Sequence, residues 1–181
     1  MRKELRPHPD TPSAAVERIE AKIVRPGPGA LLLRYALIAD MARVRLPPRV
    51  SPSRADELWR HTCFEAFVRT GEGSEYFEFN FAPSTQWAAY RFNRYREGMI
   101  VAMEVGAPRI EVRRAGERLT LEAALDLPGD ACSRTWRIGL SAGIEETDGA
   151  RSHWALEHPP GKPDFHHSDC FAIELAAAEP A

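Results

Sequence analysis

The chain has 181 residues, a length suited to one ordinary domain that buries a real core without disulfide staples. Lys plus Arg number 24 and Asp plus Glu 26, a formal charge of -2, which lacks the basic footprint of a general nucleic-acid binder. Hydrophobic residues make up 44%, too many for a disordered chain, yet no window approaches the ~20 apolar residues of a membrane-spanning helix.

Residues 1–13 carry basic side chains without an apolar run of signal-peptide length and are expected to form a tail. From there the chain alternates rather than repeating with helical period. Strands are expected at Val16–Val24 and Ala30–Ile38. Pro47, Pro48 and Pro52 then interrupt the chain. Thr62–Thr70 and Glu75–Phe81 follow, joined by Gly71-Glu72-Gly73-Ser74 as a hairpin. In the second of these, Phe77, Phe79 and Phe81 point one way and Tyr76, Glu78 and Asn80 the other. Gln86–Tyr95 is expected to be a strand on the strength of its aromatics. Further strands are expected at Arg109–Arg113, Leu119–Leu125, Thr135–Ala142, Arg151–Leu156 and Cys170–Leu175, with 176–181 as a frayed end. About ten short strands divided by turn signals give an all-β, two-sheet antiparallel sandwich of jelly-roll type, one domain with its ordered core at 14–175. The 15 prolines, roughly 8% against an average near 5%, suit such a chain of short elements.

Two groups of residues stand out as candidates for binding. Glu65, Glu78, Asn80, Arg91 and Asn93 fall on polar strand faces. If the strands pair in order, they form a hydrogen-bonding patch with Trp87, Tyr90 or Tyr95 at its margin, suited to a polyhydroxyl ligand with an apolar ring face. An antiparallel sheet also turns a polar face to water as a matter of course, so the pattern alone leaves both readings open. The second group is the segment from Ser152 to His167, which carries Trp154, His158, Lys162, Asp164 and His166 and four of the six histidines. Pro159, Pro160 and Pro163 stiffen it, which lowers the entropy lost on ordering around a ligand.

Other chemistries have weaker signals. His61, Cys63, His166, His167 and Cys170 could approach a mixed zinc set, but their spacing matches no strong ligand pattern. Met99 or Met103 with a histidine would be the axial pair of a haem protein, and no C-x-x-C-H motif accompanies them. No P-loop, G-x-G-x-x-G or H-E-x-x-H is present. Glu65 and Glu78 are the only candidates for a glycosidase-like acid pair. The odd set Cys63, Cys132 and Cys170 is expected to be free thiols in a reducing compartment, hence a cytoplasmic protein.

The stretches LWRHTCFEAFV, EYFEFNFAPSTQWAAYRFNRYREGM and SHWALEHPPGKPDFHHSDCFAIEL resemble the DOMON-like proteins, a group similar to family-9 carbohydrate-binding modules. The resemblance runs from about Leu31 to Leu175. It implies a β-sandwich that binds sugars or haem rather than cutting bonds. It further implies a sugar ring held between two tryptophans, for which Trp87 and Trp154 are the matching pair, with Trp59 in reserve and Trp136 in the core. The expected partner is a small-molecule or glycan ligand, without nucleic acid or membrane. No cofactor is expected, with haem as the alternative.

Overall fold

In the computed structural model, residues 1–129 and 133–177 are described. Cys132 lies outside them, while Cys63 and Cys170 are free and buried. The strands are β1 (Arg2–Pro7), β2 (Val16–Val24), β3 (Ala30–Ala39), β4 (Cys63–Thr70), β5 (Tyr76–Phe81), β6 (Trp87–Phe92), β7 (Ile100–Val101), β8 (Arg109–Ala115), β9 (Arg118–Asp126), β10 (Trp136–Glu145), β11 (Arg151–Ala155) and β12 (Ile173–Leu175). Short 3-10 turns lie at Leu58–Arg60 and Ser168–Cys170, and no helix among the described residues is long and apolar enough to cross a membrane.

All pairings between the named strands are antiparallel and fall into two sheets. The first runs β1-β2-β3-β9-β8. The second runs β7-β6-β5-β4-β10-β11-β1, with β12 on the free half of the β10 edge. β1 serves both: Arg2 to Leu5 pair with β2, and Arg6 and Pro7 pair with β11. The segment expected to be a tail is therefore the corner strand of the sandwich. Its sequence, RKELRP, offers one buried apolar residue, Leu5, so its order comes from backbone pairing and not from a hydrophobic period. The expected strand Cys170–Leu175 shortens to β12, because Ser168–Cys170 turns as a 3-10 segment.

The core lies between the sheets. Ile19, Ala21 and Ile23 of β2, Leu31, Leu33, Tyr35 and Leu37 of β3, and Leu119, Leu121, Ala123 and Leu125 of β9 meet the inner faces of β4, β5 and β10. Tyr35 spans the gap: its hydroxyl donates to the Glu65 carbonyl oxygen at 2.6 Å, and burial pushes the phenol well above its usual pKa. A buried hydroxyl needs such a partner, and this one fixes the height of the first sheet over β4.

The outer face of the second sheet is not solvated. Phe67, Tyr76, Ala88, Tyr90, Phe92 and Phe171 form a second apolar cluster there, with Leu58 and Phe165 packed against it. The chain after β11 crosses back over this face to reach β12. Burying Phe171 and Phe165 contributes roughly 1.5–3 kcal/mol per fully covered ring, which pins the crossing segment to the sheet.

Candidate functional site

Register places two acids under that covering. β4 and β5 pair with Glu65 opposite Asn80 and Phe67 opposite Glu78, so the two carboxyls are diagonal neighbours on one face, with backbones roughly 7–8 Å apart. On the other side of β4, Ser141 faces Glu65, and Gly139 and Gly143 face Phe67 and Cys63. Three small residues leave β10 without bulk on this face, and the space is used in two ways. At Gly139 the Cys170 carbonyl oxygen closes in, 2.9 Å from where a Cβ would stand. Around Gly143 the space opens into a cavity of about 1020 Å³.

The cavity crosses the sheet. Val101 of β7, Tyr90 and Phe92 of β6, Glu78 of β5, Glu65 of β4 and Arg151 and His153 of β11 line its floor. Asp56, Glu57 and Trp59 line it from the segment before β4, Arg96 and Met99 from the β6–β7 connection, and Pro163, Phe165 and His166 from the chain after β11. A depression of about 220 Å³ on the outer face of the first sheet, between Arg34, Arg109 and Glu122, has no buried acid in its lining.

Electrostatics sets the cavity's chemistry. Burial raises the Glu65 pKa well above the ordinary value and the neighbouring Glu78 adds to it, while Arg151 pulls the other way. Burial likewise raises Glu78, against the opposing hydrogen bond from Asn80, whose amide donates at 2.8 Å. Two acids this close in a dry floor cannot both ionise cheaply. The Glu65 carboxyl has no hydrogen-bond partner among the described residues. His166 is pushed down to about 4, by burial first and by Arg96 next. The Tyr76 hydroxyl accepts from the Arg96 backbone N–H at 3.1 Å and is hydrogen-bonded to His166 Nδ1 at 2.9 Å. The His166 Nε2 lies 3.7 Å from a Glu78 carboxyl oxygen. His153 is also held at about 4, by burial and then by Arg151. The cavity thus offers two buried acids of raised pKa and two imidazoles of lowered pKa, groups that hydrogen-bond hydroxyls with little charge to desolvate.

One latch closes the covering segments on each other. Asp164 accepts from Arg96 Nε at 3.2 Å and Nη2 at 2.7 Å, and from the Tyr95 hydroxyl. Burial alone would raise the Asp164 pKa, but these donors bring it below the usual value.

The residues expected from sequence separate into three groups. Glu78 and His166 line the cavity, with Asn80 buried behind Glu78 and Asp164 in the latch. Arg91 faces the other side, because Glu78 pairs with Tyr90, and bonds Glu104 at 3.4 Å. Asn93 lies beyond the end of β6 in the exposed turn, its N–H on the Glu97 carbonyl. His158 turns to the Arg6 carbonyl at 2.9 Å, and Lys162 is exposed. The expected tryptophan pair is corrected outright. Trp87 and Trp154 are 5% and 4% exposed and belong to the core between the sheets. Trp87 lies under the Arg54 guanidinium, and Trp154 Nε1 donates to Ser152 at 2.9 Å. The reserve, Trp59, is the tryptophan at the cavity, 45% exposed. Tyr90, expected at the margin of the patch, lines the cavity, while Arg96 and Arg151 were missed. The small-residue face Gly139, Ser141, Gly143 is the sequence signal that marks where space opens.

Other chemistries fit poorly. Gly139-Leu140-Ser141-Ala142-Gly143 spells G-x-S-x-G, but it runs through the middle of β10 with Ser141 buried, not at the strand-to-helix turn that exposes a nucleophile. No cluster of three metal-ligating side chains occurs among the described residues. Of the haem candidates, Met99 and His153 both line the cavity, and both ring nitrogens of His166 face protein groups.

No family model matches the chain, nor does any curated protein. Among solved structures, a protein from Bacteroides uniformis provisionally described as carbohydrate-binding superposes with a TM-score of 0.65 at 16% identity, over 94% of this chain and 83% of that one. That likeness shows the fold, and supports the all-β reading. Family-9 carbohydrate-binding modules from Caldicellulosiruptor kristjanssonii, in complex with glucose and with cellotriose, reach a TM-score of 0.47 at 11% and 10% identity. They cover 83% of this chain and 71% and 69% of their own.

Proposed function

We propose that this protein binds a saccharide, without cutting it, in the cavity on the outer face of the second sheet. The observation that carries the reading is the pair of buried carboxyls at the floor of a cavity walled by aromatic rings. Glu65, Glu78 and His166 supply donors and acceptors for hydroxyls, while Trp59, Tyr90, Phe92 and Phe165 supply surfaces for the C–H face of a pyranose. The volume of about 1020 Å³ is at the upper end of ordinary ligand sites, which suits more than one sugar ring.

Trp59 gives a selective reporter, since Trp87, Trp136 and Trp154 are all buried. Titration with a panel of mono- and oligosaccharides should change Trp59 emission and give saturable heat in calorimetry. The emission change should vanish in Trp59→Phe, and the heat in Glu78→Ala. If no member of the panel binds, the proposal fails.

A second reading rests on the coupled acids: Glu65 and Glu78 could act as acid and base on the bound sugar. Prolonged incubation of a bound oligosaccharide, followed by chromatography, separates the two. Products that disappear in Glu65→Gln would establish an enzyme.

A further inference from the structure

The cations lining the cavity are matched by carboxylates except at its β11 end. Arg96 is held by Asp164 at 2.7 Å. Glu57, at the mouth, is taken by Arg60 at 2.6 Å. Glu65 and Glu78 are buried together in the floor. Asp56 accepts from the Tyr90 hydroxyl at 3.0 Å, over β6.

Among the described residues, Arg151 is the cavity cation without a carboxylate within ion-pair distance. The acid directly across from it on β10 is Glu145, whose carboxyl is turned to Arg45 at 3.4 Å and His61 at 2.8 Å. One Arg151 nitrogen, Nη2, donates to the Trp59 carbonyl at 2.6 Å, while Nε is buried with no partner at all. A guanidinium fixed at one corner, lining the cavity and without a carboxylate partner among the described residues, is suited to receive an anion.

Resting on the saccharide reading, we infer that the ligand carries one anionic group, a carboxylate or a phosphate, that docks on Arg151 at the β11 end. The uncharged part of the ligand then extends toward Glu65, Glu78 and Tyr90. This gives the site a direction, with the anion at β11 and the hydroxyls over β4 and β5.

The test is calorimetry with matched series: glucose, glucuronate and glucose 6-phosphate, and the corresponding galactose and mannose series, each at low and high salt. An anionic member should bind roughly 10- to 100-fold tighter than its neutral parent, and the ratio should shrink as salt screens the exposed approach. Which anion shows the preference separates carboxylate from phosphate. In Arg151→Gln the ratio should fall toward one, and Arg151→Lys should restore part of it. If Arg151→Gln does not fold, the ratio and its salt dependence in the unaltered protein still decide. Neutral parents binding as tightly as both anionic partners overturn the anion inference and leave the saccharide reading standing. No binding in any series overturns both.

Discussion

Acidification should destabilise this protein through His166 in particular. The ring is caged by Phe67, Phe92 and Tyr76, with centroids at 5.0, 5.1 and 5.9 Å, and it titrates near 4 against an ordinary 6.5. Between those values the unfolded chain holds a proton on this ring that the folded protein does not. Stability therefore rises with pH across the window and is lost as pH falls through it. Linkage puts the loss at about 2 kcal/mol by about pH 5 and about 3 kcal/mol by about pH 4. His153 acts in the same direction, and Glu65 and Glu78 in the opposite one, so the unaltered protein alone cannot isolate the effect. His166→Asn can, because an amide oxygen accepts the Tyr76 hydrogen and does not titrate. Urea denaturation of both proteins from neutral to acid pH should show the gap between them shifting by that amount in favour of the variant. A proton NMR titration should find the His166 ring changing near 4. A gap that stays constant, or a ring that titrates near 6.5, refutes the argument that the cage keeps it neutral.

Two further expectations follow from the same face. Glu65→Gln should reverse the pH trend: a carboxyl whose folded pKa is raised contributes stability that is present below about pH 4.5 and lost as pH climbs through the folded value. The unaltered protein should therefore weaken against the variant from mildly acid to alkaline pH, and parallel urea curves would show that Glu65 ionises freely. Gly139→Ala sets a methyl against the Cys170 carbonyl oxygen, which should cost roughly 1–3 kcal/mol and lift the segment bearing Cys170 off β10. Alkylation followed by peptide mapping should then label Cys170 while Cys63 stays protected; an unlabelled Cys170 would mean that the segment yields without opening.

Much of the fold was legible because the interior strands obey a period of two. β2 was delimited as Val16–Val24, and the alternation in β5 separates the Phe77, Phe79, Phe81 face from the Tyr76, Glu78, Asn80 face as the structure does. What escaped were elements ordered by something other than their own hydrophobic pattern. β1 is ordered by pairing with two partners at once. β7 is two exposed residues on the edge of β6. Neither buries enough apolar surface to leave a mark on the sequence.

The site was legible on the strand where the faces were unambiguous and illegible where a turn decides them. Glu65, Glu78 and Asn80 come together because the β4–β5 hairpin keeps them on one face. The next hairpin is where the expectation fails. Its turn, Ala82 to Gln86, closes with the Ala82 N–H on the Gln86 carbonyl at 2.9 Å and needs Thr85 at a φ of 76, a left-handed conformation that a threonine rarely adopts. A turn of five residues sets Phe81 against Trp87, which sends Trp87 and Arg91 to one face and Tyr90 and Phe92 to the other. One residue more or fewer would exchange the two sets. The stacking surface thus passes from Trp87 to Tyr90 and Phe92 through the length of a turn, while Trp154 is fixed in the core by its register with Ala142. The covering segment follows the same logic. Its prolines stiffen it as expected, but the packing of Phe165 and Phe171 on the sheet decides that His166 and Pro163 face the cavity while His158 and Lys162 face away. Aromatic composition therefore marked the face that bears the cavity, and register chose which aromatics line it.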